Sequence, residues 1–243
     1  MSNELEVVLF PCLSDNYGIL IHDNASGETV SIDTPEVDKI EAACLERKWN
    51  LTQIWNTHHH ADHTGGNLDL KKKFGTKIYG PGIVKGRIPG LSNPLFGEEI
   101  FKLGTHDVHV LSTPGHTLDH IIYYVPDAMS AFVGDTLFAL GCGRLFEGSK
   151  EDMYNSLKKI SSFPDETKLY CAHEYTLSNA EFALTVEPSN NDLKKYIIKA
   201  KKLRADGLPT VPTTVDSEKK CNPFVRAVSA TRLGEIRAAK DIF

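Results

Sequence analysis

Short apolar runs recur between residues 7 and 172 of the chain and predict β-strands. Each run is rich in Val, Ile or Tyr, and Gly, Pro, Asn or Asp residues separate one run from the next. The predicted strands are residues 7–10, 18–22, 29–32, 53–56, 77–79, 107–111, 121–125, 131–133 and 168–172. The pattern predicts a domain that is built largely on β-sheet.

Helical periodicity appears at two places among these strands. In residues 37–47, Ile40, Ala43 and Cys44 share one face, and residues 150–161 repeat this pattern. Strands with interspersed helices indicate a layered α/β arrangement in which helices cover the sheets.

The chain becomes mostly helical after the last predicted strand. Helices are predicted for residues 176–187 and 191–206, and from residue 230 to the end. We therefore predict two domains, a layered α/β domain in residues 1–173 and a mostly helical domain in residues 174–243.

The composition is that of a folded globular protein, with 41% hydrophobic and 24% charged residues in 243 positions. No apolar run is long enough to cross a bilayer, and the acidic residues Glu4 and Glu6 near the N-terminus do not fit a signal peptide. The net charge of -5 argues against a nucleic-acid partner. The five scattered cysteines predict reduced, buried thiols. We expect a cytoplasmic protein without a membrane partner.

Candidate metal ligands are concentrated in one short segment, Thr57-His58-His59-His60-Ala61-Asp62-His63. The segment follows a predicted strand, and residues two apart on an extended loop point to the same side. His58 and His60 therefore share one side, while Asp62 and His63 reach a neighbouring point and His59 faces away. Two adjacent groups of nitrogen and oxygen ligands suit two divalent ions. A merely polar loop is the alternative interpretation.

Three further candidate ligands stand just past the ends of predicted strands. They are His116, Asp135 and His173. A single His or Asp in such a place more often caps a turn. All three together with the histidine-rich segment make a possible set of seven metal ligands.

These segments, in this order, resemble the metallo-β-lactamase superfamily and, within it, the glyoxalase II (hydroxyacylglutathione hydrolase) family. Further matching motifs are Asp15-Asn16-Tyr17, Gly134-Asp135-Thr136-Leu137-Phe138, Gly141-Cys142-Gly143-Arg144-Leu145-Phe146-Glu147-Gly148, His173-Glu174-Tyr175-Thr176, Asn222-Pro223-Phe224 and Arg237-x-x-Lys240-Asp241. The histidine-rich segment marks only the superfamily. The segment around Cys142 and the one that begins at His173 are more specific to the family.

The resemblance implies a four-layer αββα sandwich with a C-terminal helical domain, and it implies a site with two divalent metal ions. One ion would be bound by His58, His60 and His116, the other by Asp62, His63 and His173, and Asp135 would bridge both. Zinc is the expected metal, with iron or manganese as alternatives. The residues that match the family's glutathione-binding positions are Arg144, Phe146, Tyr175, Arg237 and Lys240.

Two residues depart from the family pattern. Phe146 stands where some members carry tyrosine, which removes a possible hydrogen bond to the substrate. Asp119 stands where the family often has glycine, and we expect the neighbouring His120 to support the site without binding metal.

The predicted activity is hydrolysis of S-(2-hydroxyacyl)glutathione, such as S-D-lactoylglutathione, by a metal-bridging hydroxide that Asp62 and Asp135 help to hold. A small-molecule glutathione thioester is the expected partner, and a monomer is the expected state. Two alternatives remain open at this stage. One is a glutathione persulfide dioxygenase with a single iron, and the other is a non-catalytic metal-binding protein.

Overall fold

The computed structural model describes residues 5–83 and 86–243. The first four residues, on which part of the signal-peptide prediction rests, lie outside the described residues. The chain forms two compact units. Unit 1 contains the described residues up to Ser112 together with Asp119–Phe132, and unit 2 contains Thr113–Leu118 and Val133–Phe243. These units reflect contacts in space, whereas the predicted domains, residues 1–173 and 174–243, divide the chain by function. The predicted division stays a prediction.

Unit 1 contains a six-stranded sheet whose strands lie side by side in the order of the chain. The strands are β1 (Leu5–Cys12), β2 (Asn16–Asp23), β3 (Thr29–Ile32), β4 (Gln53–Trp55), β5 (Lys77–Pro81) and β6 (Asn93–Leu95). Short turns join β1, β2 and β3, which are antiparallel, whereas β3 to β6 are parallel. The crossovers that parallel strands require contain three helices: α1 (Val37–Arg47), α2 (Ala61–Thr64) and α3 (Asn67–Phe74).

The core of unit 1 lies between this sheet and its helices. It consists of Leu20, Ile40, Ala43, Cys44, Leu51, Ile54, Leu70, Ile78 and Ile88, all of them buried. Ile40, Ala43 and Cys44 of α1 point into this core, as their helical spacing predicts. The parallel strand β4 is buried at every residue, which fits a strand with both faces covered. The carboxyl end of β4 therefore leads into the histidine-rich segment from a rigid position.

Unit 1 also contains an antiparallel meander. It is formed by β7 (Ile100–Leu103), β8 (His106–Ser112), β9 (Ile121–Val125) and the first residues of β10 (Ser130–Gly134). The Tyr123 hydroxyl at the centre of β9 donates a hydrogen bond of 2.7 Å to the Asn56 carbonyl oxygen. This bond fixes the backbone immediately before the histidine-rich segment.

The longer of the two segments of unit 2 begins within β10, after Phe132. Its further elements are β11 (Leu137–Phe138), β12 (Gly141–Cys142), α4 (Lys150–Ser161), β13 (Lys168–Cys171), α5 (Thr176–Val186), α6 (Asn191–Ala205), β14 (Thr213–Thr214), α7 (Val215–Cys221) and α8 (Ala230–Asp241). Strands β11 and β12 form a tight hairpin, and β13 pairs antiparallel with β14. Leu140, Ala180, Ala183, Leu193, Ile197 and Cys221 form the hydrophobic cluster under the helices.

All nine predicted strands and all five predicted helices are confirmed. The helix bounds 37–47 and 150–161 agree with the structure at both ends. The predicted helix in residues 150–161 begins at a capping box, in which Ser149 and Asp152 each bond the other's backbone N–H. The elements that the prediction missed are short or polar: a 3-10 helix at Pro126–Ala128, the helices α2, α3 and α7, and the strands β6, β7, β11, β12 and β14.

All five cysteines are buried and free, which confirms the prediction of interior thiols without a disulfide framework. Among the helices of the described residues, none combines the length and the apolar character that a membrane span needs.

Candidate metal centre

The histidine-rich segment leaves β4 and brings three histidine rings of unit 1 together. The His58 ring centroid lies 4.1 Å from that of His63 and 4.6 Å from that of His60. His58 Nε2 and His60 Nδ1 are 3.0 Å apart. Because α2 begins at Ala61, the chain turns sharply after His60 and carries Asp62 and His63 back towards His58. This local turn therefore brings the four predicted ligands of the segment close together.

A buried carboxylate, Asp33 at the end of β3, orients two of these histidines. Asp33 Oδ2 lies 2.8 Å from His63 Nδ1, and it accepts a hydrogen bond of 2.8 Å from the Thr57 hydroxyl. Since that hydroxyl gives its hydrogen to Asp33, it accepts from His58 Nδ1 at 3.0 Å. Both rings thus carry their proton on Nδ1 and present Nε2 as the unprotonated, acceptor nitrogen, which is the tautomer of a metal ligand.

Asp62 is the partly exposed member of the segment, with 39% of its side chain accessible. Its Oδ2 lies 3.5 Å from His63 Nε2 and accepts a hydrogen bond of 3.1 Å from the Asn16 amide. One carboxylate oxygen is therefore fixed by β2 and the histidine.

Unit 2 carries the other three predicted ligands around Asp135. Asp135 Oδ2 lies 3.4 Å from His116 Nε2, and Asp135 Oδ1 lies 3.5 Å from His173 Nε2. All three side chains are buried. His116 Nδ1 donates a hydrogen bond of 2.9 Å to the Arg144 carbonyl oxygen, so its Nε2, which faces Asp135, is the unprotonated nitrogen.

Gly143 permits this close packing. A Cβ atom at this position would overlap the Asp135 carbonyl oxygen and would also press against the His116 side chain. A residue larger than glycine would push one of the two ligands out of place, which explains a glycine in the segment around Cys142.

The spacing of these atoms fits the ligands of a bound metal ion. Two ligand atoms on one tetrahedral ion stand roughly 3.3–3.4 Å apart when each bond is about 2.0–2.1 Å. The two separations at Asp135 are 3.4 and 3.5 Å, and the separation between His63 and Asp62 is 3.5 Å. Asp135 presents one oxygen to each of the two histidines. Nitrogen and oxygen ligands in this proportion suit zinc, iron or manganese.

His59 and His120 have other surroundings. His59 Nδ1 lies 3.2 Å from a carboxylate oxygen of Asp119, which is 1% exposed. The unusual Asp119 therefore provides a buried partner for His59 next to the ligand positions. His120 is fully buried and its ring stacks on that of His58, with the centroids 4.9 Å apart.

Two cationic side chains of unit 2, Arg237 and Arg144, lie near the Asp241 carboxylate at the end of α8, and Lys240 precedes Asp241 in the same helix. Arg237 is 6% exposed, and it donates bonds of 3.0 and 2.9 Å to Asp241 Oδ1 through Nε and Nη2. The Arg144 guanidinium lies 3.8 Å from the same oxygen. Lys240 donates to the Ser178 carbonyl oxygen at 3.1 Å. Burial lowers the pKa of Lys240, and the charges of Arg237 and Arg144 lower it further.

Two aromatic side chains of the predicted substrate site flank the ligands of unit 2. The Tyr175 ring stacks on the His173 ring at 4.8 Å, with an angle of 5° between the planes. Phe146 meets His116 edge to face at 5.2 Å and is 62% exposed. Phe138, which the prediction did not include, contacts His173 at 5.7 Å and Tyr175 at 5.2 Å.

Sequence reasoning missed the roles of Asp33, Asp241 and Phe138. Asp33 directly follows a predicted strand. The same position relative to a strand singled out Asp135, so the sequence could have identified Asp33 as well. Asp241 and Phe138 both lie in the matched motifs, but nothing in the sequence pairs them with Arg237 or His173.

Burial raises the pKa of the Cys142 thiol to about 11 and that of Cys171 to about 12. Both thiols therefore stay protonated at neutral pH. A thiol nucleophile beside the candidate site is disfavoured, since the thiolate is the reactive form.

Two family models match the chain. The model of the metallo-beta-lactamase superfamily matches residues 45–173, and the model described as "Hydroxyacylglutathione hydrolase C-terminus" matches residues 174–243. Together they include all twelve predicted site residues.

Similar proteins match the chain along its whole length. It is 50% identical to the hydroxyacylglutathione hydrolase of Maricaulis maris (strain MCS10), over 99% of this chain and 100% of that protein. It is 47% identical to the hydroxyacylglutathione hydrolase of Hyphomonas neptunium (strain ATCC 15444), over 100% of both chains.

Solved structures share the fold. The crystal structure of ETHE1 from Myxococcus xanthus aligns with a TM-score of 0.74 and 25% sequence identity. The alignment covers 97% of this chain and 90% of the ETHE1 chain. A metallo-beta-lactamase structure from Staphylococcus aureus has a TM-score of 0.73 at 21% identity, over 97% of this chain and 67% of its own. The predicted fold class, the metallo-β-lactamase fold with a helical C-terminal region, is confirmed.

Proposed function

The chain belongs to the hydroxyacylglutathione hydrolase family of the metallo-β-lactamase superfamily, and we propose that it cleaves S-(2-hydroxyacyl)glutathione, such as S-D-lactoylglutathione, to glutathione and a 2-hydroxy acid. The observation that carries the proposal is the match along the whole length, since it includes residues 174–243 as well as the metal-ligand motifs.

We propose a binuclear site in which Asp135 bridges the two ions. His58, His60 and His116 would hold one ion, and the other would be held by Asp62, His63 and His173. The Asp33 and Thr57 contacts support this assignment in unit 1, because they place the ring proton on Nδ1 of His58 and His63. The Arg144 carbonyl oxygen does the same for His116. Zinc is our proposed occupant.

When bound, the two ions supply ionised water at neutral pH and positive charge opposite the developing oxyanion. The protein's own part is orientation. Asn16 donates a hydrogen bond to Asp62 Oδ2, which fixes the orientation of that carboxylate beside His63. The leaving group is a thiolate, and since a free thiol has a pKa of about 8.5, it needs no strong general acid.

The cationic residues around Asp241 would bind the carboxylate groups of glutathione. Burial is the largest cause of the lowered pKa of Lys240, and the charge of Arg237 adds to it; a bound anion would offset the repulsion between these two cations. The stacked Tyr175 and His173 rings would place the tripeptide next to the ligands of unit 2. Charge-assisted hydrogen bonds of this kind serve substrate binding more than the chemical step.

We predict that Arg237→Ala raises KM for S-D-lactoylglutathione about ten- to hundredfold while kcat changes little, because a charge-assisted hydrogen bond contributes roughly 1.5–3 kcal/mol. Steady-state kinetics measure this effect. The matched control is Arg232→Ala on the same helix, an arginine that pairs with exposed Glu235. If KM stays the same in Arg237→Ala, Arg237 is not part of the substrate site.

The activity itself is tested with a panel of glutathione thioesters, with metal content measured on the same sample. We expect two metal ions per chain, release of free thiol, and little turnover of the same acyl group on a small thiol that lacks the glutathione carboxylates. One iron per chain with oxygen uptake on glutathione persulfide would show the dioxygenase. Bound metal without any turnover would show a binding protein.

A cytoplasmic, monomeric enzyme completes the proposal. Five free, buried cysteines suit a reducing compartment, where disulfides are rare. Size-exclusion chromatography with light scattering tests the monomer, and a stable dimer would contradict it.

A further inference from the structure

The hairpin formed by β11 and β12 (Leu137–Cys142, the hairpin) has an unusual backbone at its tip. Leu140 has φ of 61°, in the left-handed region that glycine or asparagine normally occupies. Gly141 follows it, and a Cβ atom there would clash with the Asn179 side chain. A leucine in this conformation is costly, so surrounding contacts must hold it in place.

Buried polar side chains from the C-terminal helical region bond the hairpin at successive residues. Asn179 of α5 donates to the Ala139 carbonyl oxygen at 3.1 Å, and Glu218 of α7 accepts from the Leu140 N–H at 3.0 Å. Asn222 donates to the Gly141 carbonyl oxygen at 2.9 Å. The motif Asn222-Pro223-Phe224, which the metal chemistry does not use, thus acts on this hairpin.

Glu218 is the centre of this network. It is 1% exposed, and besides Leu140 it accepts hydrogen bonds from the Asn222 amide at 2.8 Å and the Thr213 hydroxyl at 2.7 Å. A buried carboxylate without an ion-pair partner is expensive to keep. No cation contacts it among the described residues, so its three donors alone stabilise its charge.

The hairpin in turn contacts both parts of the proposed glutathione site. Near one end, Phe138 packs edge to face against His173 and Tyr175. At the other end, the Cys142 carbonyl oxygen accepts a hydrogen bond of 2.9 Å from Arg237, which is bonded to Asp241 as well. A shift of the hairpin would therefore displace Tyr175 and Arg237 together.

We propose that Glu218 is a positioning residue for substrate binding: with Asn179 and Asn222 it fixes the hairpin and thereby sets the places of Tyr175 and Arg237. The inference rests on the proposed glutathione thioesterase function. Glu218 does not touch the substrate, so its effect falls on KM and not on kcat.

The charge of Glu218 makes this role measurable. Burial raises the pKa of Glu218 to about 7, although its three hydrogen bonds oppose that shift. The titratable groups around it are Tyr196, Cys171 and Cys221, and burial raises the pKa of each so far that all three stay neutral near pH 7. A carboxylate binds N–H and O–H donors about twice as strongly as the neutral acid does. The hydrogen bonds that join the hairpin to Glu218 should therefore be stronger above pH 7 than below it, although burial makes the ionised carboxylate costly to the folded state as a whole.

The test compares Glu218→Gln with wild type between pH 5.5 and 8.5. Glutamine has the same shape, keeps a carbonyl oxygen for Leu140, and resembles the protonated acid. We expect equal KM values at pH 5.5, and a KM for S-D-lactoylglutathione about three- to tenfold higher in the variant at pH 8.5, with kcat unchanged. Calorimetric titration with glutathione should give the same ratio of Kd values. Glu235→Gln is the control, because Glu235 forms only an exposed ion pair with Arg232. Its KM and Kd should equal those of wild type at every pH.

Thermal unfolding supplies an independent readout. The folded pKa of Glu218 is raised above the ordinary value near 4.5, so its favourable contribution is complete below pH 4.5 and is lost as pH rises to about 7. Glu218→Gln should therefore match the Tm of wild type at pH 4.5 and exceed it by several degrees at pH 8. A variant that is more stable yet binds glutathione less tightly is the expected signature.

A second variant acts on the same hairpin without a titrating group. Asn179→Ala should raise KM by a similar factor at every pH. Equal KM and Kd ratios at all pH values for Glu218→Gln, or a loss of kcat instead of affinity, would overturn the positioning role. Failure of the proposed function is distinguishable, because wild type itself would then neither cleave the thioester nor bind glutathione.

Discussion

Replacing Asp135 with asparagine is expected to release metal and to lower kcat/KM by about three orders of magnitude or more, since one missing member of a cooperative site can cost as much as the whole site. Asparagine has the same shape but no charge, and only one of its two terminal atoms is a ligand. It can face His116 or His173 with an oxygen, but not both, whereas Asp135 presents an oxygen to each at 3.4 and 3.5 Å.

The measurement is metal content by mass spectrometry together with steady-state hydrolysis of S-D-lactoylglutathione. Asp206→Asn is the matched control, because Asp206 is an exposed carboxylate that pairs with Lys202 in the same unit. A variant that retains two ions and most of its activity would contradict the bridging role of Asp135.

The second large effect is expected at Asp33, which is not a predicted metal ligand but contacts His63 directly and His58 through the Thr57 hydroxyl. Asp33→Asn should weaken metal binding about ten- to hundredfold, which is the usual effect of losing an outer partner of a ligating histidine. The asparagine amide would point a donor at the Thr57 hydroxyl or at His63 Nδ1, both of which now donate to Asp33 Oδ2 at 2.8 Å. Each mismatched buried donor costs roughly 1–3 kcal/mol.

Asparagine is the informative substitution at this position. Asp33 has φ of 57°, and asparagine tolerates that left-handed conformation whereas alanine does not. Chelator competition measures the affinity, and metal-free thermal unfolding separates stability from metal binding. Asp107→Asn, at an exposed pair with Lys102, serves as the control. Unchanged metal affinity in Asp33→Asn would mean that the histidines need no carboxylate to orient them.

Local periodicity and composition predicted most of the secondary structure because burial imposes a repeat on each element. Helix α1 and helix α4 begin and end where the spacing of apolar residues predicts. Helix α7 was missed because its sequence, Val-Asp-Ser-Glu-Lys-Lys-Cys, is mostly polar. Its buried Glu218 is held by hydrogen bonds, one of them from Leu140, which is 78 positions away, and a search for a hydrophobic repeat cannot detect such bonds. Strand β6 was missed because it is short and contains Pro94.

The chemical identity of the candidate site was readable from the sequence alone, because ligand atoms belong to residue types and the histidine-rich segment is local. The tautomers of those histidines were decided only by tertiary structure, through Asp33, which lies 30 positions from His63. The same holds for the bond from Arg237 to Cys142, 95 positions apart, and for the bond from Leu140 to Glu218, 78 positions apart. A hydrogen bond needs atoms within about 3 Å of each other, and folding alone brings such distant residues that close.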